Sequence, residues 1–414
     1  MIKKNFSKLK PYLLWFLGLS FFALQYLGRN SIALIRHELM AEMAISATNF
    51  GTIAGVFYIG YALLQIPYGL VLDSYRPNIV LASTALIYTL GIIIMALATN
   101  WWWLIAARFF IGFGAIGGFL GTVKIIQLYL PNKHQGLMIA LTFSFGFLGA
   151  IYSGEPCSIL INKLGWRNFY YLLTIPNLII AMLFFIALSI KPAIKITQGN
   201  VRSNLRQVLQ NRNIVLLAVY GGLTIGVIEG LSDGWGVSLL HAKEFSLNTA
   251  SFINSMIYLG LCFGSPCLAY LCQKLFKNQQ YGGKLLLTYT SFAMSILSFV
   301  YIYFQSSYNI MFMLAILLGW CTGNQALIFV VNTKQAKPQA VAITTAVTNS
   351  IVMSFGIIFH QAIGLLVDYS HKFEPQASLS TYTLDNFQFG LYIIPALSII
   401  GAMGFYHQLI AKSR

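Results

Sequence analysis

A run of about twenty apolar residues satisfies its backbone inside a bilayer by forming a helix that crosses it, and this chain is built almost wholly of such runs. They fall near 12–35, 49–72, 78–99, 102–130, 137–161, 168–190, 213–238, 249–273, 284–304, 309–331, 340–366 and 387–410. Twelve predicted helices make an all-α polytopic membrane protein. Composition agrees: of 414 residues 57% are hydrophobic and 9% charged, more apolar material than a soluble domain can bury. The run after the basic stretch Met1–Lys10 is too long for a secretory signal and has no small-residue cleavage site, so it reads as a retained first span.

A net charge of +16 would point a soluble chain toward nucleic acid, but here the basic residues lie between apolar runs and not in one patch, which excludes that partner. Their distribution sets an orientation instead. With the N-terminus in the cytoplasm, eighteen Lys and Arg fall in cytoplasmic segments and five (Arg36, Lys163, Arg167, Lys243 and Lys372) fall outside. Basic residues favour the cytoplasmic side, so both termini are expected there. The longest polar insert follows the sixth run, which divides the chain into a six-helix bundle over 1–190, a basic cytoplasmic linker over 191–212 and a second bundle over 213–414. Trp101, Trp102 and Trp103 read as an interfacial anchor. Five cysteines lie in or at the ends of apolar runs and read as small core residues, not as disulfides or metal ligands.

The stretch Gly69–Pro77, GLVLDSYRP, joins two spans as a turn. It resembles the signature loop after helix 2 of the major facilitator superfamily, Gly-x-x-x-Asp-Arg-x-Gly-Arg-Arg: Gly69 and Asp73 match, Ser74 replaces the first basic residue, and Arg76 approximates the later ones. Arg108–Gly114, ArgPhePheIleGlyPheGly, matches that superfamily's helix-4 pattern Arg-x-x-x-Gly-x-Gly, and Gly165–Arg167 resembles its Gly-Trp-Arg turn. The resemblance implies two pseudo-symmetric six-helix bundles working by alternating access, with Gly69, Asp73 and Arg76 as the gating loop. Gln25–Leu34 resembles the Tyr-x-x-Arg-x-Asn/Ser stretch of organic-anion and organophosphate carriers, which implies that Arg29, with Tyr26, meets the substrate's negative group. Those relatives carry acidic residues where this chain has Gly28 and Ala115, and the organophosphate exchangers carry arginine where it has Glu229, so their substrates do not transfer. The helix-5 motif of drug–proton antiporters is absent, which favours uptake. More finely, the chain resembles the phagosomal-transporter-type nutrient carriers of intracellular bacteria.

Ionisable groups inside lipid are costly and mark function. Here they are Arg29, Arg108, Lys124, Glu155, Glu229 and Asp233, with His360 as a seventh. Arg29, Arg108, Glu155 and Glu229 all fall about 10 Å below the outer ends of their predicted helices. Arg29 and Glu229 occupy matching positions in the first helices of the two repeats. That suits a zwitterion, carboxylate toward Arg29 and ammonium toward Glu229; it equally suits a plain salt bridge. Arg108 and Glu155 read as a second pair, a strut or a proton-sensitive contact. Glu229 and Asp233 are four apart, on one helical face, where two like charges in a low-dielectric site favour protonation of one. Lys124 is expected to snorkel to the cytoplasmic surface. Trp320 and Asn324 offer a ring and an amide, for substrate or for helix association.

These residues predict proton-driven uptake of a small zwitterionic nutrient such as an amino acid, at substrate residues Arg29, Glu229, Arg108, Tyr26, Trp320 and Asn324 and proton residues Glu229, Asp233 and Glu155. The alternative is a carrier of organic anions or carboxylate siderophores using Arg29 and Arg108 together. No nucleotide loop, metal-ligand spacing or Ser/His/Asp set is present, so neither an enzyme nor a cofactor is expected. The expected partners are a small-molecule substrate, protons and the lipid bilayer, with the chain acting as a monomer in a bacterial inner membrane.

Overall fold

The computed structural model describes residues 2–187, 201–337, 340–373 and 382–410. Among these, every regular element is helical. The first stretch holds α1 (Ile2–Asn30), α2 (Arg36–Met43), α3 (Ala47–Tyr58), α4 (Gln65–Ser74), α5 (Pro77–Leu97), α6 (Trp101–Tyr129), α7 (Asn132–Tyr152), α8 (Glu155–Leu164) and α9 (Trp166–Ala187). Next come α10 (Val201–Gln210), α11 (Arg212–Thr224), α12 (Gly236–Ala242), α13 (Leu247–Leu275), α14 (Gln279–Tyr303), α15 (Tyr308–Thr322) and α16 (Gln325–Thr333). The last are α17 (Val341–His371), α18 (Leu384–Leu391) and α19 (Ile393–Ile410). Eleven helical stretches of the described residues are long and apolar enough to cross a bilayer, up to twelve if the pair Arg36–Met43 with Ala47–Leu63, bent by 120°, is counted as one span.

Several ends follow from single residues. The Asn100 side chain accepts the N–H groups of Trp102 and Trp103 at 3.1 and 3.3 Å, so the tryptophan triplet opens α6 under an asparagine cap. Pro77 stands in the first turn of α5, where its missing N–H costs nothing.

Two expectations need correction. Gly69 and Asp73 lie inside α4, which leaves Tyr75 and Arg76 as the whole connector to α5 in place of a nine-residue turn. The second predicted span is interrupted by a π-helical segment, Ile59–Leu63, at Gly60, where an added Cβ would stand 2.4 Å from the Phe109 carbonyl oxygen of α6. Of the insert expected as a linker, 191–200 lies outside the described residues, and α10 follows with Val208 buried.

Contacts divide the chain into two compact units, Met1–Ser31 with Ile59–Gln198, and Ile32–Tyr58 with Gly199–Arg414. In the first, α5 packs on α6 and α9, and α1 on α6 and α7. Gly114 admits the α5 backbone, an added Cβ coming 2.3 Å from the Tyr88 nitrogen. In the second, α13 packs on α15, α14 on α19, α11 on α17 and α19, and α3 on α17. Small residues bring the last two backbones together: a Cβ on Gly51 would lie 2.3 Å from the His360 carbonyl oxygen, and one on Gly364 2.4 Å from that of Ala47.

Candidate functional site

The second unit holds a buried polar cluster. Between α11 and α12 the chain runs as a π-helical segment, Val227–Trp235, a wide turn that recurs where backbones serve functional sites. It carries Glu229 and Asp233, 1% and 3% exposed, so both predicted carboxyls are shut away from solvent. The Tyr58 hydroxyl contacts Glu229 Oε2 and also lies 2.9 Å from Asp233 Oδ2. The Tyr258 hydroxyl of α13 contacts Asp233 Oδ1. Tyr58 is the last residue of α3, and the His360 ring of α17 stacks on it with centroids 5.6 Å apart. Gly234 makes room for that imidazole, since a Cβ there would stand 2.5 Å from His360 Cε1. Trp235 packs edge-on against Phe50 at 5.2 Å, and Asn254 Nδ2 holds the Ser232 carbonyl at 2.8 Å. The two carboxyls are thus joined through one tyrosine hydroxyl in a buried site.

The first unit holds the arginines. Arg29 and Arg108 are 5% and 2% exposed. Arg108 Nη1 donates to the carbonyls of Arg29 at 3.0 Å and Gly28 at 3.4 Å. These are among the last carbonyls of α1, which have no partner in their own helix, so the guanidinium caps the negative end of α1. The Arg29 guanidinium lies over the Tyr26 ring, 5.5 Å from its centroid. Gly28, where the anion carriers have an acid, is explained by Tyr88: a Cβ at Gly28 would lie 2.3 Å from the Tyr88 hydroxyl, which donates to the Gln25 carbonyl at 3.0 Å. Glu155 stands in the first turn of α8, where a carboxylate favours the helix N-terminus. Lys124 corrects an expectation: it is buried, 4% exposed, and does not reach out to the surface.

Of the remaining predicted residues, Asn324 is fully buried and its Nδ2 donates to Thr290 Oγ1 at 2.9 Å and Ser291 Oγ at 3.1 Å, tying the break between α15 and α16 to α14. Trp320 packs against the buried cluster of Leu217, Leu268, Leu287 and Leu327. Gly69 has open space around an added Cβ, Arg76 is exposed, and the Asp73 side chain lies outside the described residues.

Tyr58, Tyr258 and Asp368 also hold functional positions, and nothing in the sequence alone marks them. Asp368 is a hub in the second unit: Oδ1 accepts from Ala47 N at 3.1 Å and Tyr382 Oη at 2.6 Å, and Oδ2 from Thr48 N at 2.8 Å and Thr48 Oγ1 at 2.5 Å. It caps α3 from another helix.

The sequence profile of the Major Facilitator Superfamily matches residues 17–360. The chain belongs to that superfamily. It is a multi-pass transport protein and not an enzyme. Curated relatives include the niacin transporter NiaP of Acinetobacter baylyi, 32% identical over 155 residues, covering 37% of this chain and 35% of that protein. A hexuronate transporter of Bacillus subtilis is 28% identical over 188 residues, 45% of this chain and 44% of the relative. A probable sulfoacetate transporter, SauU, of Cupriavidus necator is 25% identical over 148 residues, 36% and 34% of the two chains. These matches therefore span about a third to just under half of each relative's length. Among solved structures, the superfamily fold recurs in a bacterial homologue of the human lysosomal transporter Spinster, with TM-score 0.80, 14% identity and 98% coverage of both chains. The nucleoside transporter NupG gives TM-score 0.75 at 15% identity, over 96% of this chain and 99% of the other.

Proposed function

We propose that this chain imports a small carboxylate-bearing nutrient together with protons, by alternating access, an amino acid being its zwitterionic case. The observation that carries the reading is the buried Glu229–Asp233 pair on one tyrosine hydroxyl. Carboxyls so placed exchange protons only when the protein opens a path to them, which is what coupling requires. Arg29 is the partner for the solute's carboxylate, since a guanidinium binds that group through two parallel hydrogen bonds. Basic residues crowd the predicted cytoplasmic segments, which supports a bacterial inner-membrane carrier with both termini inside.

The reading divides on the amine. In the zwitterion version Glu229 also receives an ammonium group. In the organic-anion version the pair holds protons alone, and two observations favour it: Tyr58 and Tyr258 already engage the carboxyls, and the relatives are named for niacin, hexuronate and sulfoacetate, which all bear a carboxylate. A thermal-shift screen of the purified protein separates the two, because a ligand that binds only the folded state raises its apparent stability. Stabilisation by amino acids that Glu229→Gln removes supports the zwitterion. Equal stabilisation by nicotinate and other acids without an amine, retained in Glu229→Gln, supports the anion. No stabilisation by any carboxylate overturns both.

A further inference from the structure

The first unit has a hollow that transport of a small solute leaves unused. Between α4 and α5 runs a groove of about 550 Å3, floored by Phe113 of α6. Ligand pockets have this size, about 300–1,000 Å3. The groove begins where the second span is broken. The π-helical segment Ile59–Leu63 ends there, and α4 restarts after Leu64 with Pro67 in its first turn, a residue without an N–H to continue the ladder above it. Leu64, Pro67 and Val71 line the α4 side, and Ile79 and Ile87 the α5 side. Val71 and Ile79 are 42% and 47% exposed, so the wall is open and apolar along its length.

The dimensions match one half of a bilayer. From Leu64 to Tyr75, the residues that flank α4, the chain advances about 16 Å as a helix. Half of a hydrocarbon core is about 15 Å thick. The two ends of the groove differ in charge. At the end by the α4–α5 connector stand Tyr75 and Arg76, both exposed, and among the described lining residues Arg76 alone is charged. Arg76 is also the N-cap residue of α5, so the positive end of that helix opens at the same mouth. A small polar solute would leave the apolar wall uncovered. An acyl chain covers it, and a basic side chain where a hollow between helices meets the headgroup layer favours an anionic headgroup.

We propose that this groove binds one anionic phospholipid, its acyl chain between α4 and α5 and its phosphate on the Arg76 guanidinium. A guanidinium suits phosphate because its N–H groups form a planar fork. The lipid fills the space that the broken second span leaves open and packs α4 against α5.

The test is native mass spectrometry of the purified, delipidated full-length protein in detergent, titrated with phosphatidylglycerol or with phosphatidylcholine. The wild type should retain one phosphatidylglycerol in preference to phosphatidylcholine. Arg76→Gln should weaken phosphatidylglycerol about fivefold, the scale of one basic side chain at a charged lipid surface, and Arg76→Lys should keep most of the binding. Ile79→Trp, which fills the groove from the α5 side, should displace the lipid with the unfolding midpoint kept; Val71→Trp fills it from the α4 side should the first be unstable. Equal retention of the two lipids by the wild type overturns the proposal, as does phosphatidylglycerol binding unchanged in Arg76→Gln or in the groove-filling variant. Displacement of the lipid by an equal concentration of glycerophosphate also overturns it, since the acyl chain would then contribute nothing. Lipid retention is read without transport, so its failure leaves the carrier reading standing, and failure of uptake leaves the lipid site standing.

Discussion

Asp368→Ala should loosen the start of α3 by an amount that can be worked from its contacts. In the wild type one carboxylate accepts the N–H groups of Ala47 and Thr48 and the hydroxyls of Thr48 and Tyr382. Burial, and next the hydrogen bond to Asp368, push the Tyr382 hydroxyl above its usual range. Truncation removes a helix N-cap, worth about 1–2 kcal/mol, and strands two hydroxyls at about 1 kcal/mol each. Ala47 N keeps a second acceptor in Tyr382 Oη at 3.1 Å, which trims the loss. The sum is about 2–4 kcal/mol, enough to lower the unfolding midpoint of a 414-residue chain by roughly 2–5 °C. Hydrogen exchange reads the site directly: the amides of Ala47 and Thr48 should exchange about 30-fold faster or more, at 1.4 kcal/mol per factor of ten. Asp368→Asn should fall between, since its amide nitrogen turns a donor toward Thr48. Unchanged exchange in the peptide over 44–50 with a midpoint within about 1 °C of wild type would refute the cap.

Further consequences concern packing and pH. Gly51→Ala sets a methyl 2.3 Å from the His360 carbonyl oxygen, a backbone atom that cannot rotate away, so it should cost about 1–3 kcal/mol in thermal unfolding, whereas Gly69→Ala, with open space around it, should cost little. The Lys243 ammonium donates to the Tyr301 and Phe304 carbonyls at 2.7 Å, capping the end of α14, and burial pushes it down to about 8. Because its folded value lies below the ordinary 10.5, the unfolded chain binds the extra proton between about pH 8 and 10.5, so this group adds stability as pH rises through that window. The stability of wild type relative to Lys243→Met should therefore increase from pH 8 to 10, and a flat or falling difference would contradict the assignment.

The spans and the superfamily patterns were legible because each rests on local chemistry: twenty apolar residues, Gly69 with Asp73, Arg108 with Gly112 and Gly114. Glu229 and Asp233 were legible because charge inside an apolar run is conspicuous. Tyr58 and Tyr258 were not, since a tyrosine in a span reads as packing, and Tyr58 meets its carboxyl partner from 171 residues away. The π-helical segments were hidden because their apolar pattern is that of an ordinary span, with only Gly60 and Gly234 to mark where another backbone or ring comes close. Asp368 lies just beyond the predicted end of its helix at 366, while α17 in fact runs to His371. Lys124 misled in the opposite sense, because a long basic side chain near a helix end is ordinarily a surface residue.

Proton-driven uptake through Glu229 of a carboxylate held by Arg29, as proposed above, can be followed with radiolabelled nicotinate and amino acids in proteoliposomes, with and without an imposed inward proton gradient. The wild type should accumulate a carboxylate solute only with the gradient, and Arg29→Ala and Glu229→Gln should be inactive though both remain folded. Accumulation indifferent to the gradient, or retained in both variants, would refute that proposal.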